Sequence, residues 1–210
     1  MCLAERMNAE EKMRSHYYPR LEEFEETHKI LDWESREAQF ARFRVLTENI
    51  DIANKSLLDV GCGCGDLFQM LKEDGIDVNY LGVDILPAMV EKASELHKDG
   101  QFLCVDLFKD KSFCTRTFNL VFTSGIFNLN LNNNMEFFQS ALIKFSEIAD
   151  EYLVINLLDE GSPDRDDNYF YFNPENAAAM VQGHGWDVEI VRGYLSNDFT
   201  LIGKNNPDTD

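Results

Sequence analysis

No stretch approaches the roughly 18–20 consecutive apolar residues that a membrane-spanning helix requires, so no span is expected. Cations are scarce. Nineteen Lys and Arg stand against 38 Asp and Glu, a formal net charge of −19 over 210 residues. Such a surface repels phosphate backbones, which sets DNA and RNA aside as expected partners. Cysteine is sparse and odd in number (Cys2, Cys62, Cys64, Cys104, Cys114), which fits reduced thiols rather than a disulfide framework. The four histidines, His16, His28, His97 and His184, are scattered and form no ligand spacing, so no metal site is expected. Met1 to Arg14 carry neither an apolar stretch nor a small-residue cleavage site, so secretion is not indicated and a cytoplasmic location is expected. There is no internal repeat and no low-complexity tract.

What is present is the composition of an ordinary globular chain, 44% hydrophobic and 27% charged, long enough to bury a proper core. Residues 1–55 read as a helical N-terminal cap. Its first thirty residues are polar and acidic, and Tyr17-Tyr18-Pro19 is expected to interrupt them, because the residue before proline is pushed out of the helical region. A better helix starts after Ser35, an N-cap candidate, with Ala38, Phe40, Ala41, Phe43, Val45 and Leu46 on its apolar face. Residues 56–204 then alternate. Strands are expected at 56–60, 79–84, 101–105, 118–123, 151–158, 186–192 and 198–203, and helices at 66–74, 87–98, 133–148 and 174–183. Apolar strands alternating with amphipathic helices define an α/β fold with a mostly parallel seven-stranded sheet covered on both faces. The last two strands are joined around Ser196-Asn197-Asp198, too short for a parallel crossover, so one strand is reversed at or near an edge. Residues 205–210 are a tail.

Leu57-Leu58-Asp59-Val60-Gly61-Cys62-Gly63-Cys64-Gly65-Asp66-Leu67 is the stretch around which the chemistry gathers. An apolar strand stops on an acid, three glycines follow at alternate positions, and a helical pattern begins. Glycine there permits φ > 0 and lets a ligand lie against the backbone, while the helix offers free N–H groups at its start. In an open parallel sheet, ligands bind beyond the carboxyl ends of the strands. Asp59, Asp84 and Asp106 end or follow three successive strands, so they converge on one crevice, and Asp84 lies at the spacing from the glycines at which an acid reaches ribose hydroxyls. A dinucleotide fingerprint wants a small residue where Asp66 stands, and an acid at that helix start disfavours a pyrophosphate. Cys62-x-Cys64 lacks the second pair a metal or redox motif would show. The acids Asp159, Glu160, Asp164, Asp166 and Asp167 read as a solvated loop.

These motifs resemble the class I S-adenosylmethionine-dependent methyltransferases, which have a Rossmann-like sheet. Leu58 to Gly65 matches the first motif, Leu81-Gly82-Val83-Asp84 the acidic second, Phe102 to Leu107 the third and Leu120 to Gly125 the fourth. The resemblance implies S-adenosylmethionine as cofactor and a small-molecule methyl acceptor, with no membrane and no nucleic acid as partner. It further implies that Gly61, Gly63 and Gly65 line the methionine part, with Asp59 beneath them organising the turn's amides. Asp84 would take the ribose hydroxyls, Ile85 would pack on adenine, Asp106 would take the adenine amino group and Leu107 would offer its N–H. Ser124 would also touch the cofactor, and the acceptor chemistry would sit at Ser124 to Asn128; Asn128 either orients an acceptor or caps the loop. The Asn/Asp-Pro-Pro-aromatic tetrad of many enzymes that methylate exocyclic or amide nitrogens is missing, which argues against those substrates. Trp33, Gln39, Arg42 and Phe43 are similar to a leader found in some bacterial members of unassigned substrate, which makes Trp33, Gln39 and Arg42 candidates for contact with the substrate or the cofactor carboxylate; Arg42 or Arg44 would reach that carboxylate or stay on the surface. Transfer of another arm of the cofactor, or a non-catalytic nucleoside-binding or scaffold role, stands as the alternative.

Overall fold

The computed structural model describes residues 3–110, 113 and 115–205; Cys2, Cys114 and residues 206–210 of the expected tail lie outside them. Seven strands form one sheet: β1 (Ser56–Val60), β2 (Asn79–Asp84), β3 (Phe102–Cys104), β4 (Phe118–Ser124), β5 (Ala149–Leu158), β6 (Trp186–Arg192) and β7 (Asp198–Asn205). Their order is β3-β2-β1-β4-β5-β7-β6. All pairings are parallel except those of β7, which runs antiparallel to both β5 and β6. The reversed strand is therefore next to the edge. The strand order reverses between β1 and β4, and a crevice opens at the carboxyl ends there.

The strand sequences are apolar on both faces because both are covered. Leu58, Val60, Leu81, Val83, Val121, Leu153 and Ile155 pack into one cluster with α6 (Asn134–Ile148) and α7 (Pro174–Gln182). Their neighbours in the same strands, Leu57, Tyr80, Leu120, Phe122 and Val154, pack into another with α3 (Arg36–Asn49) and α4 (Asp66–Glu73). This partition is the period of two that a strand imposes. α5 (Pro87–Leu96) starts with proline at its first turn, where no N–H is missed.

The N-terminal cap consists of α1 (Leu3–Glu23), α2 (Thr27–Ile30) and α3. Ser35 caps α3, its Oγ accepting from the Ala38 N–H at 3.0 Å. Pro19 does not interrupt the first helix: α1 runs straight through it. An interior proline costs a helix about 3 kcal/mol, and burial of one face outweighs that here. Met13, Tyr17, Leu21 and Phe24 recur at helical spacing and pack with Ile30, Leu86 and Met89. Among the described residues no helix is long and apolar enough to cross a membrane.

Candidate active site

β1, β2, β3 and β4 all deliver their carboxyl ends to one crevice. Gly61 and Gly63 follow β1, Asp84 ends β2 and Ile85 follows it, Asp106 and Leu107 follow β3, and Ser124 ends β4 with Gly125 after it. Met13 and Tyr17 of α1, Leu31, Trp33 and Gln39 complete the walls from the cap. Two glycines are dictated by geometry. Gly61 has φ +77 and a Cβ there would stand 2.1 Å from Ile126; at Gly63, with φ +53, it would stand 2.7 Å from Leu31. Gly65 is different: it caps α4 and its missing Cβ makes room for Phe102 and His97, away from the crevice walls.

Glu10 of α1 and the three strand-end acids line this crevice, and each of the three has its own surroundings. Asp84 accepts from the Gly63 N–H at 3.0 Å and the Leu86 N–H at 2.9 Å. Burial pushes its carboxyl up, against these backbone bonds. Asp59 is buried and accepts from the Tyr80 hydroxyl at 2.6 Å. Burial raises it to about 7, with Asp84 and Asp66 adding to the rise and Tyr80 opposing it. The glycine turn is therefore organised by Asp84; Asp59 spends its hydrogen bond on Tyr80, which corrects the expectation that it holds the turn's amides. Asp106 accepts from the Phe108 N–H at 3.1 Å and pairs with Lys109 at 2.7 Å.

The cap residues are tied in by buried polar contacts that link segments distant in sequence. Arg42 meets Asp198 in a two-point ion pair, Nε to Oδ2 at 2.7 Å and Nη2 to Oδ1 at 2.6 Å, and donates Nη1 to the Ala38 carbonyl at 2.7 Å. Its guanidinium is thus committed to β7, and it neither lines the crevice nor lies on the surface. Trp33 stacks under this guanidinium, 4.3 Å from ring centroid to Cζ, and stands over Gly125, where an added Cβ would lie 3.1 Å from the indole. Asp198 also accepts from Asn156 at 3.0 Å, and Asn156 accepts from the Ser124 hydroxyl at 3.1 Å. A continuous polar chain therefore runs from the cap to the end of β4.

Asn128 is buried outside the crevice walls; its backbone carbonyl accepts from the Phe170 N–H at 2.7 Å, pinning the aromatic run that follows β5. Tyr169 of that run donates to Asp32, which also meets His16 at 3.0 Å and Arg20 at 2.5 Å. Cys62 and Cys64 are free thiols that burial pushes up, so neither is poised to react. Sequence reasoning did not single out Met13 and Tyr17 as wall residues, although their spacing with Leu21 and Phe24 carries the signal. It also missed Asp198, for which no local signal exists.

A Gly-rich strand–turn–helix and strand-end acids at a switch point define a Rossmann-like nucleoside-binding protein. Residues 57–142 match the sequence profile of the methyltransferase domain family. Over 87 residues the chain is 30% identical to a malonyl-[acyl-carrier protein] O-methyltransferase of Acetivibrio thermocellus, covering 39% of this chain and 30% of that protein. Over 84 residues it is 33% identical to a putative methyltransferase of Mycobacterium tuberculosis, covering 37% and 45%. The matched region thus spans less than half the length of these curated relatives. The fold is similar to that of the N-methyltransferase NodS of Bradyrhizobium japonicum, solved with S-adenosyl-L-homocysteine, with TM-score 0.66, 13% identity, and 92% and 100% of the two chains covered. Residues 57–142 are thus similar to the methyltransferase domain family, and they sit on a fold shared with an S-adenosylmethionine-dependent methyltransferase.

Proposed function

We propose that this protein binds S-adenosylmethionine in the crevice and methylates a small molecule. The observation that carries the reading is the convergence of Asp59, Asp84 and Asp106 with the Gly61–Gly63 turn on one crevice. The residues fit the group. Acids are the right lining for a ligand that is cationic at sulfur and carries hydroxyl and amino donors, and wrong for a pyrophosphate. Asp84 already accepts two backbone N–H bonds and retains lone pairs for the ribose hydroxyls. Ile85 packs on the adenine face, Asp106 accepts from the adenine amino group and Leu107 offers its N–H beside it. When bound, the cofactor supplies a methyl group on a sulfonium, whose C–S bond breaks as the bond to the acceptor forms, the electron pair staying on sulfur. The chain's part is to hold the two reactants in line and exclude water, and positioning of this kind supplies much of the acceleration. Ser124, Gly125 and Trp33 form the acceptor side.

A small acceptor is favoured because the cap covers the crevice and because its acids, on a chain of net charge −19, repel polyanions. The test is calorimetric titration with S-adenosylmethionine, S-adenosylhomocysteine and NAD, followed by acceptor screening with product analysis. Micromolar binding of the sulfur ligands alone and acceptor-dependent release of S-adenosylhomocysteine are expected. Binding of NAD, or release of methylthioadenosine instead, overturns the reading.

A further inference from the structure

Asn156 of β5 is fully buried and sits beside Ser124 of β4 in the sheet. Its Nδ2 donates to Oδ2 of Asp198 at 3.0 Å and to the Tyr194 hydroxyl at 2.8 Å. As the carboxylate partner of Arg42, Asp198 only accepts, so it dictates how the amide is turned: nitrogen toward Asp198, oxygen toward Ser124. That oxygen accepts from the Ser124 hydroxyl at 3.1 Å. Hydrogen-bond direction is therefore forced along the whole chain, from Arg42 through Asp198 and Asn156 to Ser124. Ser124 has one hydrogen and has given it to Asn156, so its Oγ offers only lone pairs to whatever lies beside it.

Ser124 is half-buried and lines the crevice. Its side chain shares a sheet face with Phe122, two residues earlier, and Phe122 and Phe43 of that face line the crevice as well. Thr123 pairs with Val60, so Ser124 and Gly61 leave their strands side by side. A group that meets this Oγ favourably must donate a hydrogen. A carboxylate cannot, and the acids of the crevice repel it besides. An alcohol can, but its proton has to leave as the methyl group arrives, and neither a serine hydroxyl nor an amide is a base for it. A neutral amine meets both demands, with an N–H for Ser124 and a lone pair for attack. We propose that the methyl acceptor is a primary or secondary amine on saturated carbon, and that Ser124 holds its N–H, with Asn156 as the positioning residue. The N–C bond forms as the C–S bond breaks, the electron pair stays on sulfur, and the surplus proton of the methylated ammonium leaves to water. Such amines lie outside the amide and exocyclic nitrogens that the missing tetrad argues against. This rests on the S-adenosylmethionine reading above.

The test offers acceptors in sets that share a skeleton: benzylamine, benzyl alcohol and benzoate, and butylamine, butanol and butyrate. Products are identified by mass, kcat/KM is read from release of S-adenosylhomocysteine, and ligand affinity is read by calorimetry, with folding followed by circular dichroism. The wild type is expected to methylate the amines alone. Ser124→Ala is expected to lower kcat/KM for the better amine by about tenfold, the scale of one hydrogen bond, while S-adenosylhomocysteine affinity changes by no more than about twofold. Ser124→Thr keeps the hydroxyl and is expected to stay within about threefold of the wild type. Asn156→Leu frees the Ser124 hydrogen, so its complex with S-adenosylhomocysteine is expected to bind benzoate, which the wild-type complex rejects; a merely structural role would not change that selectivity. Methylation of an alcohol or acid in preference to its amine, or of none of the six, overturns the proposal. An equal loss of S-adenosylhomocysteine affinity in Ser124→Ala also overturns it, because Ser124 then serves the cofactor. Unchanged rejection of benzoate by a folded Asn156→Leu overturns the orienting role, and if that variant does not fold, the two serine variants decide. A wild type that binds no S-adenosylhomocysteine overturns the cofactor reading itself.

Discussion

Asp84 joins two tasks in one carboxylate, since it anchors the Gly63 and Leu86 amides and stands at the end of β2 facing the crevice. Asp84→Ala is expected to weaken S-adenosylmethionine binding by on the order of 1–3 kcal/mol. Calorimetry on a folded variant with unchanged affinity would refute this. Asp59 yields a pH signature. Its folded value of about 7 lies above the ordinary 3.8, so between these values the native state holds a proton that the unfolded chain has released. Its contribution is therefore fully present below about pH 4 and is lost as pH rises through about 7, a change on the order of 4 kcal/mol at 1.36 kcal/mol for each pH unit. Asp59→Asn is expected to lose less stability than the wild type between pH 5 and pH 8 in urea denaturation; equal losses would refute the assignment. At this scale the strand-end acids were legible, because a polar residue ending an apolar run stands out. The partner of each acid was not. Tyr80 pairs with Asp59 across two strands, and no spacing announces that.

The elements were legible almost throughout, because hydrophobic period distinguishes strand from helix along the chain. The exception, α1, shows why local rules fail. Pro19 and its preceding residue disfavour a continuous helix, yet the stripe of Met13, Tyr17, Leu21 and Phe24 finds partners in α2 and at the start of α5. The Arg42–Asp198 pair is the matching long-range case, joining α3 to β7 across 156 positions. Both side chains are buried, so removal of one leaves the other charge without its partner. Arg42→Met is expected to cost about 3–5 kcal/mol, and addition of Asp198→Leu is expected to recover part of that loss. A double variant less stable than the single one in urea titration would count against the pair.

At the scale of the whole molecule, the charge of −19 works against compactness through self-repulsion. Raising sodium chloride from about 0.01 M to 0.15 M shortens the screening length from about 30 Å to about 8 Å, and the melting temperature is expected to rise by a few degrees. An unchanged or lower melting temperature would show that this repulsion is already offset by pairing. The sequence by itself determined the strand and helix order, the glycine turn and the acids at the strand ends, since these depend on periodicity, turn chemistry and position along a strand. Only the tertiary structure decided that α1 continues through Pro19, that Arg42 serves Asp198, and that Asp84 rather than Asp59 holds the turn. Each of these depends on which side chains meet across the fold, and burial and hydrogen bonding then assign the partners.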